Sequence, residues 1–140
     1  MVVTSRPGWL IDKSALARLS ASPDAEEWAR RVQRGLVSIT TATLLELGYS
    51  ARSGDGWNAL LTGPPVALMP IETAPPRIEQ FAVELQGILA RRGQHRAPSV
   101  PDLLIAATAH LAGLTVLHLD KDFELIAGIT GQEVERLRTA

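Results

Sequence analysis

Apolar and polar positions along this chain follow two rhythms. Residues 9–11, 36–39 and 115–119 are short, mainly apolar runs, the pattern of strands buried on both faces. Residues 73–92 instead carry Ile78, Phe81, Ala82, Leu85, Ile88 and Leu89 at helical spacing, with Pro75 and Pro76 tolerated in the first turn. Ser22-Pro-Asp-Ala-Glu26 predicts another helix start, with Ser22 as cap, and that helix stops at Gly35. Thr40 or Thr41 caps a helix through Tyr49, the Gly-rich residues 53–56 break it, and 57–61 form a short further helix.

The remaining pattern completes an alternation. Residues 14–19 read as helix and 66–71 as a third strand. Residues 93–98 read as a basic loop, followed by a helix of small apolar residues from Ser99 to Gly113. Residues 123–127 read as a short helix, and 132–137 as an edge strand. Strands alternating with helices predict an α/β fold, with a mostly parallel sheet covered on both faces. Residues 1–140 are expected to form one domain, since no composition shift marks a second.

Composition narrows the classes. Apolar residues make up 46% and charged residues 21%, the values of a globular chain. A net charge of -1 gives no global pull toward nucleic acid or membrane. The absence of cysteine excludes disulfides, zinc-thiolate sites and thiol catalysis. Met1 to Pro7 lack an apolar signal core, and no apolar run approaches the ~18 residues of a membrane span. A soluble, cytoplasmic protein is expected.

The candidate chemistry lies in acids far apart in sequence. Asp12 and Asp120 each end an apolar strand, and open α/β sheets bind ligands outside the carboxyl ends of their strands. Each also has a plainer role as a turn starter. Glu46 has Ala42, Leu45 and Tyr49 at helical spacing, where a carboxylate is costly unless it is paired or binds a metal. Asp102 follows Ser99 at the spacing of a capping box, a role compatible with a site. Asp122 reads as a cap for the helix at Phe123 or as a further ligand. Ser14 has no His base nearby and is not a nucleophile. His110 and His118 have no second His at ligand spacing and read as core or surface residues. Converging carboxylates repel one another, and an oxygen-only set suits Mg²⁺ or Mn²⁺. Metals so held activate water and stabilise the oxygens of a phosphodiester in hydrolysis.

Four segments in order carry a resemblance. Leu10-Ile-Asp12-Lys-Ser14-Ala, Thr43-Leu-Leu-Glu46, the helix opening Pro101-Asp102-Leu-Leu, and Leu117-His-Leu-Asp120-Lys-Asp122-Phe123 resemble the motifs of PIN-domain ribonucleases, and most closely those of VapC toxins. The resemblance implies a three-layer α/β/α sandwich and a Mg²⁺- or Mn²⁺-dependent endoribonuclease. Its acidic set maps onto Asp12, Glu46, Asp102 and Asp120, with Asp122 as an additional acid and Ser14 supporting Asp12. Many relatives carry Thr where Lys13 stands. The resemblance further implies a homodimer, a VapB-like antitoxin whose C-terminal segment crosses the site, and structured RNA such as tRNA as substrate.

Arg91, Arg92 and Arg96 are candidates for RNA backbone contact, against a plainer role as a solvated helix end. Trp28, Val32, Trp57, Leu60 and Leu61 supply more apolar surface than short helices bury, which predicts a partner groove. Two other classes remain open. One is a haloacid-dehalogenase-like phosphatase, raised by Asp120-Lys-Asp122, although that family carries its pair after the first strand. The other is a catalytically silent PIN-like binding module.

Overall fold

The computed structural model describes residues 8–140, so the reading of Met1 to Pro7 lies outside the described residues. The chain opens with β1 (Trp9–Ile11), α1 (Lys13–Leu16) and α2 (Ala25–Gln33). β2 (Val37–Thr40), α3 (Thr41–Tyr49), α4 (Gly54–Thr62) and β3 (Ile71–Glu72) follow. The last part holds α5 (Pro76–Arg91), α6 (Val100–Ala112), β4 (Thr115–His118), α7 (Lys121–Thr130) and β5 (Val134–Arg136). All strand pairs are parallel, in the order β3-β2-β1-β4-β5.

Alternation along the strands builds the layers. Leu10 and Val116 face one side, where they pack with Leu85, Leu89, Ile105, Phe123 and Ile126 from α5, α6 and α7. Ile11, Ile39 and Leu117 face the other, against Ala15, Leu19, Trp28 and Val32 from the α1–α2 segment. The result is an α/β/α sandwich around a five-stranded parallel sheet.

Three local readings need correction. Residues 66–71 are not one strand: Val66–Leu68 form a 3-10 turn and only Ile71–Glu72 pair with β2. Val66 and Met69 are buried while Ala67 and Leu68 are exposed, a three-residue rhythm that matches a 3-10 turn rather than a strand. Ser22 does not cap α2. Its hydroxyl accepts the Asp24 N–H, and the helix begins only at Ala25. The Gly-rich segment is a start as much as a break, because Ser53 accepts the Gly56 N–H and caps α4.

Other signals hold. Thr40 caps α3 through the Thr43 N–H, Ser99 and Asp102 form a reciprocal capping box on α6, and Gly113 closes that helix in the left-handed region. Trp28 is 2% exposed and Val32 is also buried, so both belong to the core rather than to surplus surface. Arg31 lies over the rings of Trp9 and Trp28, at 4.6 and 4.4 Å from their centroids.

Candidate active site

β1 and β4 are adjacent central strands, and the chain leaves them toward opposite sides of the sheet. Ligands of open α/β sheets bind at such a switch point, outside the strands' carboxyl ends. Asp12 follows β1 directly and Asp120 follows β4 by two residues. They open onto one cleft of about 380 Å³, which is also lined by Lys13, Ser14, Glu46, Ser99, Asp102 and Asp122. All five acids singled out in the sequence therefore face one space.

Asp12 is the most deeply held. Its carboxylate accepts hydrogen bonds from Ser14 Oγ at 2.8 Å and from the Ala15 N–H at 3.0 Å. The same Ser14 hydroxyl accepts the Leu119 N–H at 2.9 Å, which ties the end of β1 to the end of β4. Burial raises the Asp12 pKa, and the Ala15 and Ser14 hydrogen bonds oppose the rise.

Asp102 enters from the start of α6, where its Oδ2 accepts the Ser99 N–H and Ser99 Oγ accepts the Asp102 N–H. Burial first, and then the charges of Asp120 and Asp12, push its pKa up to about 6 against the Ser99 hydrogen bonds. Glu46 lies on α3. Burial raises its pKa and Asp12 adds to the rise, while the Lys13 charge lowers it. The apolar neighbours invoked for Glu46 are not a buried surface, because Leu45 is 70% and Tyr49 91% exposed.

The turn after β4 distributes roles differently from the expectation for Asp122. Asp120, not Asp122, caps α7, by accepting the Asp122 N–H at 2.9 Å. Asp122 is left in the first helical turn with its carboxylate turned to the cleft. Oxygens of Asp102, Asp120 and Asp122 lie within 4.8 Å of one another. The tightest acidic group thus includes Asp122, which the sequence ranks as an addition, whereas Asp12 and Glu46 stand around it. An all-oxygen donor set with this crowding of like charge fits a hard divalent cation.

His118 is the residue that sequence reasoning underrated. It is fully buried, as a core residue should be, but its Nδ1 accepts the Asp120 N–H at 3.1 Å. Its Nε2 is buried without a partner among the described residues. The available signal was a histidine two positions before a strand-ending acid. Arg91, Arg92 and Arg96 are exposed at the end of α5 and in the following loop; Ala97 of that loop lines the cleft, and the three arginines do not.

A second depression, of about 740 Å³ and mainly apolar, runs between the α1–α2 segment and α4. Lys13 and Ala17 line both the groove and the acidic cleft, so the two adjoin. Of the five residues expected to form a partner surface, Trp57 (49%) and Leu60 (39%) are well exposed, and Leu60 lines the groove.

Residues 9–129 match the PIN domain family model. Ribonuclease VapC2 of Mycobacterium tuberculosis is 60% identical over 129 residues, spanning 92% of each chain. The chain belongs to the VapC ribonucleases of the PIN-domain family. Another VapC of that organism, Ribonuclease VapC21, is 40% identical over 91% of each chain. Among solved structures, VapBC-5 of M. tuberculosis, a member of the VapBC toxin–antitoxin family, has a TM-score of 0.66 and 26% identity, covering 96% of this chain and 100% of that one. The DNA-bound VapBC of Salmonella typhimurium has a TM-score of 0.75 at 19% identity, covering 94% and 98%, and supports the VapC fold alone.

Proposed function

We propose that this VapC-family chain is a Mg²⁺- or Mn²⁺-dependent endoribonuclease, the toxin of a toxin–antitoxin pair, and that Asp12, Glu46, Asp102, Asp120 and Asp122 form its metal-binding active site. The observation that carries this reading is the convergence of five carboxylates on one cleft, three of them with oxygens within 4.8 Å. Asp102, Asp120 and Asp122 would hold the ion, with Asp12 and Glu46 completing its surroundings. When bound there, such an ion would supply acidification of water and charge neutralisation at a phosphodiester. Asp12 is fixed by Ser14, and Asp120 by its cap and by His118, so the carboxylates are positioned before substrate arrives.

The purified chain should cleave RNA with Mg²⁺ or Mn²⁺, lose that activity in EDTA, and lose it with Asp12→Ala or Asp102→Asn at unchanged fold. Cleavage that persists in both variants would overturn the assignment. We place the chain in the cytoplasm as one domain that pairs as a homodimer; no helix among the described residues is long and apolar enough to cross a membrane. The partner is a VapB-like antitoxin whose segment occupies the apolar groove and sets a basic side chain among the acids, where it competes with the cation. Arg91, Arg92 and Arg96 would meet the RNA backbone beyond the cleft, with structured RNA such as tRNA as the substrate.

A further inference from the structure

Lys13 is the one basic residue lining the acidic cleft among the described residues, and five carboxylates line it too. It nevertheless makes no ion pair within 4.0 Å among them, unlike Arg30, Arg31, Arg136 and Arg138. Its ammonium is therefore uncommitted, on a half-buried side chain at the seam where the groove meets the cleft. The backbone there is fixed, because Asp12 caps α1 and Ser14 ties it to β4. A lysine is a compact point charge with three donors on a flexible stem, suited to a phosphate oxygen that arrives only with the ligand.

We propose that Lys13 is a substrate-contacting residue, donating from Nζ to a non-bridging phosphate oxygen of RNA beside the carboxylates. Glu46 lines the same cleft and the Lys13 charge lowers its pKa, so RNA would draw Lys13 away from Glu46 onto phosphate. The cation also gives the cleft a positive edge, without which five acids would repel a polyanion wherever metal does not cover them. This inference rests on the ribonuclease reading above.

The test compares Lys13→Gln and Lys13→Arg with the wild type, using a short fluorescein-labelled single-stranded RNA. Binding is followed by anisotropy in Ca²⁺ across a salt titration, with the RNA checked for integrity on a gel. Lys13→Gln should weaken binding about tenfold at low salt, the factor for one charge-assisted hydrogen bond. It should also reduce the slope of log affinity against log salt by about 0.7, the value for one single-strand phosphate contact. Lys13→Arg should restore the slope, and in Mg²⁺ the Gln variant should show a raised KM. If Lys13 merely offsets the acids, Lys13→Gln tightens Mg²⁺ binding and leaves the salt slope unchanged, which overturns the proposal while the ribonuclease reading stands. A wild-type chain that neither binds this RNA nor cuts structured RNA such as total tRNA removes both.

Discussion

Asp102 starts a helix and faces two other acids with the same carboxylate. The fold favours its neutral form, because burial and the charges of Asp120 and Asp12 raise its pKa from 3.8 to about 6. The stability this contributes is complete below about pH 3.8 and is lost as pH rises through about 6. In EDTA, the thermal midpoint should therefore fall between these values, apart from effects of other groups, and Asp102→Asn should flatten the fall. A midpoint that rises as steeply in wild type as in the variant would contradict the site's electrostatics. His118 allows a second check at this scale. His118→Leu keeps a buried apolar volume but removes the acceptor of the Asp120 N–H, so Mg²⁺ affinity measured calorimetrically should drop about tenfold or more, as for other groups that orient ligands. Unchanged affinity would make His118 a packing residue only.

At the scale of elements, Gly48 on α3 is where two helices approach closely. A Cβ there would meet Trp57 Nε1 of α4 at 2.6 Å. Gly48→Ala should cost about 1–3 kcal/mol through overpacking, or shift α4 along with the groove it helps line. Denaturant unfolding checks the first outcome, and loss of antitoxin binding without loss of RNA cleavage checks the second. The elements also show what the sequence made legible. Strands buried on both faces, the Thr40 and Ser99 caps and the Gly113 stop are local signals, and each appears where the pattern places it. Residues 66–71 misled because an apolar run reads alike in a strand and in a 3-10 turn; only burial of Val66 and Met69 separates the two. Trp28 misled because the sequence does not reveal that Trp9 and Arg31 close over it. The five acids were legible individually. Their division into a tight group of three and two flanking residues was not, because it depends on which of Asp120 and Asp122 caps α7.

For the whole molecule, an antitoxin segment seated in the groove as proposed would also reach the adjoining cleft through Lys13 and Ala17, so partner binding and inhibition would be a single event. Expressed alone, the chain should be toxic or insoluble; co-expressed with the product of an adjacent small gene, it should co-purify as a soluble and inactive complex. Full ribonuclease activity in the saturated complex would show that the partner leaves the acids uncovered. The hydroxyl of Ser14 has a consequence of another kind. It joins the first strand to Leu119, 105 residues later. β1 is the middle of the sheet, and its neighbour β4 lies far along the chain from it. A fragment that stops before Ser99 would therefore keep Asp12 and Glu46 but none of the group formed by Asp102, Asp120 and Asp122. The cleft is thus a property of the closed sheet, and neither half of the chain carries it alone.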